Sequence, residues 1–149
     1  MRKHPHIMIV EARFYSELAD ELAQGAIEEL EARGCTWERV AVPGAFEIPG
    51  AIRFAIDGPW AGGNPPFDGY IALGTVIRGE TSHYDYVCGE SARGLQDLAL
   101  KYKAPIGYGI LTVENSDQAW ARARRSEKNK GKDAAEACLA MIDLKARFA

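Results

Sequence analysis

The run RGETSH at 78–83 places a glycine, two hydroxyl side chains and a histidine together in one short polar turn. An imidazole, with a pKa of about 6.5, exchanges protons near neutral pH without a large environmental shift, so His83 is the candidate acid–base group. Gly79, Glu80, Thr81 and Ser82 stand just before a helical pattern. A glycine turn there can aim backbone N–H groups and hydroxyls at a phosphate, although the same residues could simply cap the helix. Arg122 fits a charged clamp on an oxyanion, and Lys130 could orient phosphate or stabilise charge as it leaves. Each equally fits a solvated surface cation. Phe14 and Phe46 could lie across a planar ring, a contact of about 1–3 kcal/mol, or fill a core. Glu47 could accept hydrogen bonds from a polyol or complement the field of a helix terminus.

These residues need a scaffold that brings them together. IMIVEA at 7–12 reads as a buried strand. In the segment 16–34, Leu18, Leu22, Ala26, Ile27 and Leu30 recur at helical spacing and Gly34 supplies a stop. Trp37, Val40 and Val42 give the next strand an alternating pattern that Pro43 and Gly44 end. FEIPGAIRFAI can begin a second helix, with Pro49 and Gly50 disturbing its first turn. A loop over Pro59, Gly62, Gly63, Pro65 and Pro66 precedes the central strand YIALGTVI at 70–77.

After Tyr84 a long helix carries Val87, Ala92, Leu95, Leu98 and Tyr102 and ends before Pro105. IGYGILTV is a fourth strand whose glycines permit close approach of a backbone or a ligand. Asn115 and Gln118 have the spacing of a capping pair, and a charged helix follows. Gly131 interrupts a last helical pattern that resumes through Ala134, Ala135, Cys138, Leu139, Ile142 and Leu144. Strands alternating with helices imply a parallel α/β sandwich, in which sites form where strand carboxyl ends open into loops. ARFYS, VPGAFEIPG, VIRGETSHYDYV and TVENSDQ would then share one side of the sheet as a pocket.

A length of 149 residues, 47% apolar and 26% charged with a net charge of -3, fits one domain over residues 1–149. The acidic balance gives no field for nucleic acid, and RARRSEKNKGK, which lacks interleaved aromatics, reads as a solvated helix or a polyanion patch. The first residues lack the long apolar region and cleavage site of a secretory signal, and no run is long enough to span a membrane. A cytoplasmic protein is the expectation. Cys35, Cys88 and Cys138 are too widely spaced for a disulfide scaffold or a thiolate metal site. His4, His6 and His83 have no zinc spacing.

ARFY at 12–15, PGAFEIP at 43–49, GTVIRGETSHYDYV at 74–87, TVENSDQA at 112–119 and NKG at 129–131 occur in an order that resembles the lumazine synthase family over most of the chain. The resemblance implies a flavodoxin-like three-layer α/β sandwich around a mainly four-stranded parallel sheet. It also implies condensation of 5-amino-6-(D-ribitylamino)uracil with 3,4-dihydroxy-2-butanone 4-phosphate to 6,7-dimethyl-8-ribityllumazine, phosphate and water, without a cofactor or a protein-bound metal. By the same resemblance Phe14 stacks on the pyrimidine, Ala45, Phe46 and Glu47 line the ribityl side, and backbone groups of Val76, Ile77 and Arg78 read the pyrimidine edge. Gly79, Glu80 and Thr81 form the phosphate loop beside Ser82, Arg122 is its main clamp, and His83 transfers protons.

Family members share each site between neighbouring subunits, which would bring Tyr108, Arg122 and Lys130 from the neighbour of the chain that supplies Phe14, Glu47 and His83. A pentamer or paired pentamers is the expected assembly, because RARRSEKNKG replaces the glycine-rich connection common in closed shells. The chain departs from the common pattern at Tyr15, often asparagine, at Tyr108, often phenylalanine, at Asp133, often glutamate, and at Ser126, often lysine. A noncatalytic flavin or lumazine binder on the same scaffold is the main alternative, and a structural shell protein is a third reading. A flavodoxin-like electron carrier fits less well, since its phosphate loop follows the first strand and the anion loop here follows the third.

Overall fold

The computed structural model describes residues 4–60 and 65–149. Gly62 and Gly63 of the expected loop lie outside the described residues, as do Arg2 and Lys3. Four parallel strands, β1 (His6–Ala12), β2 (Thr36–Val42), β3 (Gly69–Ile77) and β4 (Ile106–Val113), pair in the order β2-β1-β3-β4. Helices α1 (Ser16–Ala32), α4 (Ser116–Ala123) and α5 (Lys130–Arg147) cover one face, and α2 (Ile48–Asp57) and α3 (His83–Tyr102) the other. This is the three-layer, flavodoxin-like arrangement, in which each β-α-β crossover returns the chain to a parallel neighbour.

The central strands are apolar on both faces because both faces are covered. In β1, Ile7 and Ile9 join the α1/α5 cluster, whereas Met8, Val10 and Ala12 join the α2/α3 cluster; Ile71 and Leu73 against Tyr70 and Ala72 repeat the division in β3. α1 supplies Leu18, Leu22, Ala26, Ile27 and Leu30 to its cluster, a stripe at helical spacing, each large side chain stabilising the fold by about 1.5–3 kcal/mol. Gly34, at φ 72°, turns the chain just beyond the helix. β2 is an edge strand with no buried residue. Trp37 packs on the α1/α5 side and Val40 and Val42 on the α2/α3 side.

Three boundaries differ from expectation. α3 starts at His83, not after Tyr84, because Ser82 takes the N-cap position. Pro49 does not disturb α2; it occupies the first turn, where the missing N–H costs nothing, and the 3-10 turn Ala45–Glu47 runs directly into it. Gly131 does not interrupt the last helix but lies inside α5, where a Cβ would overlap the carbonyl oxygen of Leu22 in α1. The glycine marks a close helix crossing. Gly107 has a similar reason, since a Cβ there would overlap the carbonyl of Ala134, so the close approach at β4 is by the backbone of α5.

The basic run is not one helix. Arg122 belongs to α4, residues 124–129 form a turn, and Lys130 opens α5. Arg125 pairs with Glu28 at 2.9 Å and Glu21 at 3.2 Å, and Arg124 with Glu127 at 3.1 Å, which disperses the charge a polyanion patch would need. Among the described residues, no helix is long and apolar enough to cross a membrane.

Candidate active site

The carboxyl ends of β1, β2 and β3 open on one cleft of about 540 Å³. Phe14 and Tyr15 come from the β1–α1 turn, Pro43 to Glu47 from the segment after β2, Thr75 to Ile77 from the end of β3, and His83 and Val87 from the first turns of α3. Such a volume suits one small organic ligand. Of the expected site residues, Phe14, Ala45, Phe46, Glu47, Val76, Ile77 and His83 therefore share a single lining.

Local sequence explains the arrangement. Phe14 is 75% exposed and meets Tyr15 edge to face, ring centroids 4.9 Å apart, so it is an apolar ring held outside the core. Ala45 is buried, whereas Phe46 and Glu47 on the same 3-10 turn remain exposed. Thr75 is buried with no hydrogen-bond partner for its Oγ1, an uncommon state for a polar atom. The central run YIALGTVI hid this residue: threonine is an ordinary strand former, and nothing in the sequence distinguishes a packed hydroxyl from an unpaired one.

The loop from Arg78 to Ser82 lies exposed between β3 and α3. Thr81 Oγ1 accepts from the backbone N–H of His83 at 3.3 Å, while the Ser82 side chain makes no capping hydrogen bond. Arg78 does not face the cleft; its Nε donates to Glu114 at 2.9 Å and its guanidinium lies over Tyr84 at 4.2 Å. The hydrogen bond to Glu114 raises the Arg78 pKa further. Arg78 thus ties the loop to the turn after β4.

Tyr108, Arg122 and Lys130 stand apart from this lining. Tyr108 projects from edge strand β4 into a groove with Ala92, Leu95, Gln96, Ala99 and Ile106. Burial pushes its hydroxyl pKa up, with Cys88 adding to the rise, and a hydrogen bond with Ser91 pulls the other way. Arg122 Nη1 donates to the Gln118 carbonyl at 3.0 Å, and Lys130 lies 3.3 Å from Asp133. Among the described residues, no group of three or more His, Cys, Asp or Glu side chains is placed to hold a metal ion.

The cleft brings exposed aromatic faces, a carboxylate and a histidine together beyond the strand ends. The model of the 6,7-dimethyl-8-ribityllumazine synthase family matches residues 4–146. The chain belongs to this family. The 6,7-dimethyl-8-ribityllumazine synthase of Agrobacterium fabrum (strain C58 / ATCC 33970) is 57% identical over 144 residues, covering 97% of each chain. 6,7-Dimethyl-8-ribityllumazine synthase 1 of Rhizobium meliloti (strain 1021) is 57% identical over 98% of this chain and 95% of its own. The 6,7-dimethyl-8-ribityllumazine synthase of Bartonella tribocorum (strain CIP 105476 / IBS 506) is 51% identical over 99% of this chain and 95% of its own. Lumazine synthase membership thus extends over nearly the whole chain, β4 and both C-terminal helices included.

Proposed function

We propose that the strand-end cleft is the pyrimidine half of a lumazine synthase active site. The reaction joins 5-amino-6-(D-ribitylamino)uracil to 3,4-dihydroxy-2-butanone 4-phosphate and releases 6,7-dimethyl-8-ribityllumazine, phosphate and water. The observation that carries the assignment of the site is the common lining of Phe14, Phe46, Glu47 and His83, which offers a planar ring, a polyol and a proton acceptor their matching partners in one cavity.

In this reading Phe14 stacks on the pyrimidine, and Ala45, Phe46 and Glu47 hold the ribityl chain, the carboxylate accepting from its hydroxyls. Backbone groups of Val76, Ile77 and Arg78, with Thr75 Oγ1, meet the pyrimidine edge. Gly79, Glu80, Thr81 and Ser82 receive the phosphate, with Arg122 as its clamp. The amine attacks the ketone, and loss of water gives an imine. Phosphate then leaves, the enol rearranges to a ketone, and ring closure expels a second water. His83, at the mouth of the cleft, moves protons in these steps, while Lys130 stabilises the departing charge. Holding the two substrates in a reactive pose supplies a large share of the rate, since well-oriented reactions recover about 7–11 kcal/mol of barrier.

Tyr108, Arg122 and Lys130 face elsewhere on the same chain, which supports a site completed by a neighbour in a homopentamer or decamer. A closed ring makes all such head-to-tail sites equivalent. The test follows appearance of the lumazine chromophore from the two substrates with the purified oligomer, using a His83→Ala, Arg122→Ala double variant as control. Product well above the uncatalysed mixture, lost in the control, is expected. A correctly assembled protein that binds the pyrimidine without accelerating product formation is instead a ligand-binding protein on this scaffold.

A further inference from the structure

Glu11 is the exception in the apolar strand β1. It is 2% exposed and points to the same face as Ile7 and Ile9, yet it carries a carboxylate. Arg39 on β2 grips it with two hydrogen bonds, Nε to Oε2 at 2.6 Å and Nη2 to Oε1 at 2.8 Å. Arg13 Nη1 donates to Oε1 at 2.8 Å, and Arg13 Nη2 donates to Asp20 at 2.7 Å on α1. Asp20 also lies 3.7 Å from Arg39 Nη2. Two carboxylates and two guanidiniums thus form a balanced group. Its guanidiniums reach the surface and its centre is buried.

Burying such a group is a poor way to gain stability, because desolvation offsets much of the charge attraction and an apolar side chain in a strand core packs at lower cost. What the group does provide is fixed geometry: charge-assisted, bidentate hydrogen bonds set distance and angle together. The geometry it fixes is at the mouth of the cleft. Arg13 directly precedes Phe14 and Tyr15, and its backbone N–H donates to Val42 at 3.2 Å, the last residue of β2. Beyond Val42 the chain runs through Pro43 to Glu47, the facing wall. Glu11 therefore joins the strand that carries Phe14 to the strand that leads to Phe46 and Glu47.

We infer that Glu11, through Arg13 and Arg39, is a positioning residue that sets the spacing between Phe14 and the Phe46–Glu47 wall, and so the affinity for the planar, polyol-bearing substrate. This rests on the reading of the cleft given above. It separates the two substrates: the loop of residues 78–82 lies at the end of β3, away from the group, so the phosphate-bearing partner is little affected.

The test compares the wild-type oligomer with Glu11→Gln, Arg39→Met and the double variant Glu11→Leu, Arg39→Leu. Calorimetric titration with the ribitylamino-pyrimidine, KM for each substrate and thermal midpoints are read together. All three variants are expected to bind the pyrimidine more weakly, on the order of tenfold, with KM for that substrate rising alike and KM for the butanone phosphate nearly unchanged. The double variant, repacked with apolar side chains, keeps or gains thermal stability yet retains the affinity defect. Wild-type affinity in the double variant would show the group to be a stability element only and overturn the inference. Should Glu11→Gln fail to assemble, Arg39→Met decides, since that side chain is half-exposed on an edge strand. A wild-type protein that neither binds the pyrimidine nor makes product removes the reading of the cleft and this inference with it, whereas an active wild type with unmoved variants removes this inference alone.

Discussion

Replacing Phe14 with alanine separates a ring kept for a ligand from a ring kept for the fold. Phe14 is 75% exposed, and its ring contact is the edge of Tyr15. A phenylalanine side chain offers about 200 Å². With only a quarter of that removed from water, about 50 Å² at ~25 cal/mol/Å², truncation costs the unliganded protein about 1 kcal/mol. In a domain of this size that is a fall in melting temperature of about 2–4 °C. Loss of stacking on a planar ligand costs about 1–3 kcal/mol, a rise in Kd of about 5- to 150-fold. Scanning calorimetry without ligand and titration with the ribitylamino-pyrimidine measure the two effects independently. The reasoning fails if affinity is unchanged, or if stability falls by the ~3–5 kcal/mol of a buried phenylalanine, which would put the ring in the core.

Three further outcomes follow from the fold. Gly131→Ala drives a Cβ into the Leu22 carbonyl and is expected to cost about 3 kcal/mol in urea unfolding; a neutral result would contradict the close crossing of α1 and α5. Asn115→Ala removes an acceptor of the Gln118 N–H at 2.9 Å, and with it one half of a reciprocal cap in which Gln118 Oε1 accepts from Glu114 N–H at 2.8 Å. A loss of about 1 kcal/mol is expected by the same unfolding assay. Burial raises the Tyr70 hydroxyl from 10.0 to about 12 and the Cys138 thiol from 9.0 to about 12. A proton held more tightly in the folded state than in the unfolded one leaves stability steady below pH 9 and makes it fall from there toward pH 12. Denaturant midpoints across that range should show Tyr70→Phe with the shallower decline, and an unchanged slope would remove Tyr70 as a source.

The four strands, the five helices and the side of the sheet that carries the cleft were legible because they rest on periodicity and on the rule for parallel sheets, both properties of a continuous segment. Phe14, Phe46, Glu47 and His83 stood out because each lies in a segment that follows a strand end, whereas Ala45 entered through the family resemblance. What escaped depends on contacts between distant segments. Gly131 looked like a helix breaker because only the position of Leu22 explains it. Glu11 looked like one polar letter in an apolar run, since Arg39 becomes its partner only when β2 pairs with β1. Thr75 was invisible because unpaired burial leaves no mark in a sequence. Arg122 and Lys130 stood out as cations suited to a phosphate and Tyr108 through the family resemblance, but their separation from the cleft lining on one chain is a matter of geometry.

The two apolar clusters on opposite faces of the sheet divide the molecule for anyone who wishes to harden it against heat. Among the described residues, Ala45, Val76 and Val87 belong to the α2/α3 side and also line the cleft, while from the α1/α5 side only Tyr15 and Ile77 reach it. Leu139 and Ile142 sit in the other half and more than two turns along α5 from Lys130, so repacking them can be pursued by selection for thermal tolerance, whereas Leu22 and Ala26 back directly onto Gly131 beside Lys130. The same degree of change beneath α2 and α3 would reshape the cavity itself.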